Sequence, residues 1–252
     1  SYDYKRKGFD VRVGYPIFDY TRLFVTYKFE DTQLENVVDP TVDPATENGL
    51  ASSIKTTILR DRRDNRMEPT KGYYLSLSAE YAGVGGEKKW FRNEFDGRLF
   101  QRVVGDLIFR SRLYAGKIER VGRAIPRTEK YTLGGSRNLR GYSYEDIGPK
   151  KTVNATIDGV NRDYTFNSGS LFSAYTQIEL EHPLAREAGL KWVLFFDAGD
   201  ASTLDQFEIK MDYGFGFRWF SPIGVLRFEF GYPLGDDEQA GSQFHFDIGQ
   251  LF

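Results

Sequence analysis

The sequence predicts an all-β protein in which antiparallel, up-and-down strands form a transmembrane barrel. Three observations predict this fold class. Apolar and polar residues alternate with a period of two along most of the chain, the connections between these segments are short and long in strict turn, and the 252 residues include 21 Phe, 16 Tyr and 3 Trp. A period of two is typical of strands with one apolar and one polar face, and alternating connection lengths are typical of outer-membrane barrels.

Eleven strands follow from the alternation. In the first, Phe9, Val11 and Val13 share one face, and Asp10 and Arg12 share the other. Because successive side chains of a strand point to opposite sides, each segment gives the sheet one apolar and one largely polar face. The predicted strands lie near residues 7–17, 20–30, 50–61, 71–82, 91–103, 106–118, 170–182, 189–199, 207–220, 223–233 and 242–252.

The connections predict which strand ends lie together. Consecutive antiparallel strands run in opposite directions, so alternate connections leave the sheet at opposite ends. One end of the sheet would then carry short turns and the other long loops, as in outer-membrane barrels with short periplasmic turns and longer external loops. The short connections are 18–19, 62–70, 104–105, 183–188 and 221–222, and the long ones are 31–49, 83–90, 119–169, 200–206 and 234–241.

A soluble β-sandwich is the alternative for such a chain, with the apolar faces packed against each other. Three features favour the membrane: aromatic residues near strand ends, charges in the middle of polar strand faces, and a last segment that is an aromatic-rich strand. Interfacial aromatic girdles account for the first feature and a hydrated lumen for the second. The aromatic residues are Tyr15, Tyr73, Tyr81, Trp192, Trp219 and Tyr232, and the charges are Glu179, Asp197, Arg218, Arg227 and Glu229.

Composition argues against several functional classes. The 34 Lys and Arg residues nearly balance the 36 Asp and Glu residues, which argues against a nucleic-acid partner bound through its phosphates. The chain has no Cys and only two His, His182 and His245, and these lie on different predicted strands. No Ser, His and Asp residues fall in a catalytic pattern. We therefore expect no enzyme activity, no metal site and no cofactor.

Three loop segments could suggest a ligand but are interpreted otherwise. Asp39, Asp43 and Glu47 lack the spacing of a calcium loop because prolines interrupt them, so a solvated external loop is expected. The acidic run 236–238 has the same interpretation. Gly134 to Ser136 does not end in the Gly-Lys-Ser/Thr of a phosphate loop.

The longest connection, 119–169, carries Leu139-Arg140-Gly141-Tyr142. Further segments follow in order: Arg60 to Asn65 with Pro69 to Gly72, Ile178 to Pro183, Phe195 to Gly199, Arg218 to Gly224, and Phe244 to Phe252. Together they resemble the BamA family of outer-membrane protein assembly factors over nearly the whole chain. In that family the four-residue motif lies at the tip of a loop that folds back into the lumen.

The resemblance also implies parts that this sequence lacks. Barrels of the family have sixteen strands and follow periplasmic POTRA domains, whereas eleven strands and no POTRA segment are found here. Counting back from the last strand, the first strand here corresponds to the family's sixth. We therefore expect residues 1–252 to be the C-terminal part of a barrel domain, with the N-terminal strands and POTRA domains absent.

The resemblance implies a loop anchor. Arg140 would dock against Glu179 and Asp197, which lie on polar faces of two strands predicted to pair as a hairpin. Gly141 would allow a tight turn beside the wall, and Tyr142 would pack its ring against the barrel. From spacing alone, the alternative is that both carboxylates line a solvated lumen while Arg140 stays free in the loop.

The function implied by the resemblance is folding and insertion of other β-barrel proteins in the bacterial outer membrane through a lateral seam. The seam strand would be 242–252, with Gly249 weakening its side-chain ladder. Expected partners are outer-membrane lipid, unfolded client barrels and accessory periplasmic lipoproteins. The alternatives are a two-partner-secretion polypeptide transporter, a TamA-like barrel, and a diffusion porin, which the motif disfavours. The seam residues on this strand are Phe244, Phe246, Ile248, Gly249 and Phe252.

Overall fold

The computed structural model describes residues 3–37, 42–157, 160–222, 224–235 and 241–249. Its main element is one antiparallel sheet of eleven strands, in which each strand pairs with its neighbour in the chain except where a separate two-stranded hairpin, β7–β8, is inserted between β6 and β9. The strands are β1 Asp3–Phe18, β2 Thr21–Glu35, β3 Gly49–Asp61, β4 Gly72–Ala82, β5 Trp90–Val104, β6 Leu107–Arg120, β7 Lys150–Ile157, β8 Val160–Asn167, β9 Phe172–Ala185, β10 Leu190–Asp200, β11 Lys210–Ser221, β12 Gly224–Pro233 and β13 Gln243–Ile248. A four-residue helix, α1 (Pro44–Glu47), and two 3₁₀ turns, Arg127–Glu129 and Leu204–Gln206, complete the described elements.

The fold class and the eleven sheet strands predicted from the sequence are confirmed. The hairpin β7–β8 was missed, because residues 119–169 were interpreted as one irregular loop. Its strands are eight residues each and are joined along their exposed face by the hydroxyls of Thr152 and Thr165, 2.8 Å apart, and by Asn154 donating to Asp163 at 2.7 Å. Short polar strands outside the main sheet carry little hydrophobic alternation, so the period-two signal is weak there.

The two ends of the sheet differ as the connection lengths predict. The turn end carries the β1–β2, β3–β4, β5–β6, β9–β10 and β11–β12 connections, and the loop end carries the long ones. The β5–β6 turn is two residues long and contains Gly105 at φ 54°, a backbone conformation that favours glycine. The pairing of β5 with β6 shifts register next to this turn, between Arg102 and Val104.

The two faces of the sheet differ in polarity. The outer face exposes large apolar side chains, for example Leu77 (57% exposed), Leu113 (53%) and Phe246 (54%). The inner face carries charged residues that are fully buried, including Arg110, Glu179 and Arg218. This is the arrangement of a membrane barrel, whose lipid face is apolar and whose lumen is polar. Among the described residues, no helix is long and apolar enough to cross a bilayer.

The sheet is curved, and the connection from β6 to β9 lies in its concave side. The segment 121–149, here called the in-folded loop, leaves β6 at the loop end and enters the lumen. Its buried residues Leu133, Leu139 and Tyr142 form an apolar cluster with Tyr175 of β9. A second cluster joins Ile125 to the ends of β3 to β6. The in-folded loop thus packs on the inner face of the sheet at its loop end.

The last strand is shorter than predicted. β13 ends at Ile248, and Gly249 follows it at φ 115° while its amide still donates to the carbonyl of Val225 at 2.7 Å. The predicted strand 242–252 extends beyond this point, and Phe252 lies outside the described residues. Within the described residues, β13 pairs with β12 alone and β1 pairs with β2 alone.

Candidate functional site: the anchored loop tip

The tip of the in-folded loop is shaped by two glycines. Gly134 and Gly135 have φ values of 108° and 99°, which other residues rarely adopt. A Cβ on Gly134 would lie 2.1 Å from the carbonyl oxygen of Ser143. Asn138 closes the turn, because its Oδ1 accepts hydrogen bonds from the amides of Gly134 and Leu139, both at 2.7 Å. This local turn points the next residue, Arg140, at the inner wall.

Arg140 lies fully buried against three strands. Its Nε and Nη2 donate to the two carboxylate oxygens of Asp197 at 2.7 Å each, a bidentate pair, and Nη1 donates to Glu179 at 2.5 Å. Nη1 also lies 3.3 Å from Glu229 of β12. The guanidinium carbon lies 3.6 Å from the ring centre of Phe195, so the cation also stacks on an aromatic face. The structure therefore brings Arg140 together with both carboxylates named from the sequence, and adds Glu229.

Gly141 and Tyr142 complete the contact with the wall. A Cβ on Gly141 would lie 2.4 Å from the Cβ of Asp212 and 2.9 Å from the amide nitrogen of Pro233, so only glycine allows this approach. The wall contributes its own glycine, because a Cβ on Gly231 would lie 2.2 Å from the carbonyl oxygen of Arg140. Tyr142 is 3% exposed, and its hydroxyl donates to the carbonyl of Met211 at 3.2 Å.

A second arginine, from the wall itself, stabilises the same acids. Arg218 of β11 donates to Glu179 at 2.6 Å and to Glu181 at 3.0 Å, and it lies 3.3 Å from Glu229. Arg110 of β6 approaches Glu181 at 2.7 Å. All of these groups are at most 1% exposed.

This network, here called the wall network, comprises Arg110, Arg140, Glu179, Glu181, Asp197, Arg218 and Glu229. It has three cations and four carboxylates. Removing one partner from a buried, paired set leaves an uncompensated charge, which costs about 3–5 kcal/mol. The sequence places Arg218 and Glu229 on polar strand faces without indicating a partner, and it does not single out Arg110 or Glu181. The sequence feature that could have identified these residues is a charged side chain in the middle of a regular strand.

The in-folded loop also touches the last strand. The three lumen-facing residues of β13 each contact it: Asp247 accepts from the Ser136 hydroxyl at 2.7 Å, a His245 ring nitrogen lies 2.8 Å from the carbonyl of Arg140, and Gln243 lies 3.2 Å from the Ser143 hydroxyl. The seam residues Phe244, Phe246 and Ile248 are 54–62% exposed on the outer face. The strand therefore has a polar side held by the loop and an apolar side turned outward.

One loop interpretation from the sequence is wrong. Glu47 is not part of a solvated acidic loop: it is 5% exposed, and its carboxylate accepts hydrogen bonds from the Arg127 amide at 2.5 Å and the Thr128 hydroxyl at 2.9 Å. Asp43 caps α1, because its side chain accepts from the amide of Ala45 at 3.0 Å. The reason is tertiary, since the β2–β3 loop packs on the in-folded loop. Asp39 and residues 236–238 lie outside the described residues. Among residues that are described, no cluster has the ligands for a metal ion.

Comparison with known proteins agrees with this architecture. Residues 1–252 match the Omp85 superfamily domain. The chain is 26% identical over 259 residues to the outer membrane protein assembly factor BamA of Nitratidesulfovibrio vulgaris, covering 97% of this chain and 32% of that protein, and 33% identical over 229 residues to a SAM50-like protein of Schizosaccharomyces pombe, covering 82% and 46%.

A solved structure shows the same fold. The crystal structure of BamA from Haemophilus ducreyi lacking POTRA domains 1–3 aligns with a TM-score of 0.77 at 17% identity, over 97% of this chain and 53% of that one. The chain spans about a third of the length of the BamA relatives that it matches. The predicted relationship to the BamA family and the predicted location in the bacterial outer membrane are confirmed.

Proposed function

Because the chain belongs to the Omp85 superfamily, we propose that it forms part of an outer-membrane barrel that folds and inserts other β-barrel proteins. The observation that carries the proposal is β13 itself: it is the shortest strand of the eleven-stranded sheet within the described residues, its outward side chains are apolar, and its inward side chains contact the in-folded loop. In a barrel completed by further N-terminal strands, opening of the seam beside β13 would make it an edge strand. An edge strand offers unpaired backbone groups to which an unfolded strand can add.

The edge strand has the properties that such pairing needs. β13 is six residues long, against eleven for β10 and twelve for β11, so fewer backbone hydrogen bonds hold it. Its outward residues are apolar, and an added client strand would continue the apolar outer surface into the lipid. Gly249 ends the strand at a positive φ and adds no side chain to the ladder.

The wall network has a structural role in this proposal. It holds the in-folded loop against β9 to β12 while β13 lies at the margin, so the wall stays fixed when the edge opens. No covalent step is involved, and we propose neither an enzymatic activity nor a cofactor. The proposed partners are outer-membrane lipid at the apolar face, unfolded client barrels at the edge, and accessory periplasmic lipoproteins. We also propose that the intact protein carries further N-terminal strands and POTRA domains.

A polypeptide transporter of the two-partner-secretion type, or a TamA-like barrel, is the second candidate. The Leu139 to Tyr142 motif favours it to the same degree, since the resemblance implies the motif in both. A transporter of this kind must release the in-folded loop to open its lumen. The fully buried pairs of Arg140 oppose that release, which favours the insertase.

Site-specific cross-linking tests the proposal. The chain has no Cys, so Phe246→Cys introduces a single thiol on the outer face of β13, and a client barrel with one Cys in its last strand supplies the other. Leu77→Cys is the matched control, because Leu77 is 57% exposed on the outer face of β4 and Phe246 is 54% exposed. We expect client cross-links at position 246 and not at position 77. Equal yields at the two positions would exclude a seam at β13.

A further inference from the structure

The β3–β4 connection is the longest at the turn end, and it lies between Arg60 and Gly72, the limits of one of the motif segments. Residues 62–71 are here called the strap. Asp64 organises them, because its Oδ1 accepts hydrogen bonds from the amides of Asn65 and Thr70 at 2.9 Å each and of Lys71 at 3.1 Å. Its Oδ2 accepts from the Thr70 hydroxyl at 2.6 Å. The conformation of the strap is thus fixed by side-chain hydrogen bonds.

Both ends of the strap are fixed as well. Arg63 donates to the two oxygens of Asp61 at 2.9 and 3.0 Å, a bidentate pair. At the other end Gly72 has φ 101°, and a Cβ there would lie 2.1 Å from the carbonyl oxygen of Arg62. Burial of the Asp64 carboxyl opposes its ionisation, but the hydrogen bonds from Thr70, Lys71 and Asn65 prevail and lower the pKa of Asp64 to about 2.

The strap reaches a strand of the wall that is not its neighbour in the sheet. Glu68 forms an ion pair with Lys191 of β10, and the side chain of Lys191 is 12% exposed. In the sheet, β4 and β10 are separated by four strand-to-strand steps. At about 4.8 Å per step, that is roughly 19 Å along the wall. A contact between the two therefore requires the strap to cross the concave side of the sheet at its turn end.

A cavity lies behind this contact. Its volume is about 340 Å³, and the strap contributes Glu68 and Thr70 to its lining. The wall contributes Ile108 of β6, Leu190 and Lys191 of β10, and Phe220 of β11. The cavity therefore extends across strands that lie on both sides of β9. The strap thus covers an interior space that would otherwise open at the turn end.

The same contact joins the strap to the wall network. Lys191 approaches Glu181 at 3.1 Å, and Glu181 is paired with Arg110 and Arg218. A continuous series of ion pairs therefore runs from Glu68 at the turn end to Arg140 at the loop tip. The in-folded loop and the strap are attached to the same set of charges from opposite ends.

We infer that the strap is a second closure on the described part of the lumen: it covers the space lined by β6, β10 and β11 at the turn end, as the in-folded loop covers the inner face at the loop end. The Glu68–Lys191 pair holds it in the closed position. In an outer-membrane barrel with short periplasmic turns, the strap faces the periplasm. The inference concerns permeability, and it stands apart from the proposed insertase function.

Thiol accessibility tests the closure in the intact protein, reconstituted in lipid nanodiscs. Ile108→Cys places a probe in the cavity, where Ile108 is 6% exposed. The rate of its labelling by a water-soluble maleimide follows the population of open states. With Glu68→Gln added, we expect labelling about fivefold faster, which corresponds to about 1 kcal/mol. Glu68→Lys, which sets two cations against each other, should label faster still.

Met67→Ala is the matched control, because Met67 is the neighbouring strap residue and is 77% exposed. It should leave the labelling rate unchanged. Heat-dependent mobility on gels verifies that each variant is folded. If a variant does not fold, opening of single channels in planar bilayers by a peptide that competes for residues 62–71 gives the second measurement. Equal labelling of the Glu68 variants and the Met67 control, or no change in conductance, would overturn the inference. Client insertion measured in parallel reports separately on the insertase proposal.

Discussion

The two segments that enter the lumen are held in different ways. The in-folded loop is anchored at its tip by Arg140, whose pairs are fully buried and whose neighbours Leu139 and Tyr142 are packed in an apolar cluster. The strap is held mainly by its own hydrogen bonds to Asp64, and one ion pair at the rim ties Glu68, 40% exposed, to the wall. Buried, paired charge resists removal, whereas a solvated pair contributes little. The comparison predicts a permanent closure at the loop end and a labile one at the turn end.

The largest expected effect is at the loop anchor. Arg140→Ala should lower the free energy of unfolding by about 3–5 kcal/mol, because it leaves Asp197 and Glu179 buried with one cation fewer. Urea-induced unfolding of the intact protein in liposomes measures it. Arg137→Ala, an exposed arginine in the same loop, is the control. A loss no greater than that of Arg137→Ala would contradict the anchor role.

The next effect is steric. Gly141→Ala places a methyl group 2.4 Å from the Cβ of Asp212, and overpacking of this kind costs about 1–3 kcal/mol. Urea unfolding again provides the measurement. Adding Asp212→Gly removes the opposing Cβ and should recover part of the loss. If the loss of unfolding free energy in the double variant equals the sum of the losses in the two single variants, the close approach of Gly141 to Asp212 is not the cause of the destabilisation.

The strap should respond to pH through Asp64. The folded pKa of Asp64 is about 2, below its ordinary value of 3.8, so its stabilisation is present above pH 3.8 and is lost as the pH falls towards 2. Hydrogen exchange at the amides of Thr70 and Lys71, corrected for the intrinsic pH dependence, should show loss of protection in that window. Asp64→Asn should remove this pH-dependent component. If the pH dependence of amide protection is unchanged in Asp64→Asn, another titratable group causes it.

The smallest effect is at the edge strand. Ser136→Ala removes one hydrogen bond to Asp247, worth about 1 kcal/mol or less at a partly exposed site. Amide exchange in β13 should accelerate while that in β10 does not change. Thr152→Ala, in the external hairpin, should alter neither strand. Faster exchange in both strands would mean that the loop stabilises the wall as a whole rather than the edge.

Much of the fold could be predicted because strand chemistry is local. Side chains alternate by geometry, so the placing of Phe9 and Val11 on one face and of Asp10 on the other followed from the period of two. Because alternate connections leave an antiparallel sheet at opposite ends, their order along the chain assigned every connection to one end of the sheet without knowledge of the strand pairing. The hairpin β7–β8 was missed because its polar strands bury no apolar face that would impose alternation.

The site could be predicted only in part. The family resemblance implied that Arg140 docks against Glu179 and Asp197, whereas spacing alone left both carboxylates on a solvated lumen. Nothing local joined Arg218 to Glu181, because their strands β11 and β9 are separated by β10. The pairing of such residues depends on side-chain reach across the inner face.

The sequence by itself determined the strand faces and the order of turns and loops. Each of these rests on neighbouring residues and on backbone geometry. The residues at the loop tip followed from the motif that the chain shares with its family. Only the tertiary structure decided that Glu47 is buried, that Glu229 joins the anchor, and that Glu68 meets Lys191 across the lumen. These contacts depend on the curvature of the sheet, which brings residues distant in sequence to the same interior space.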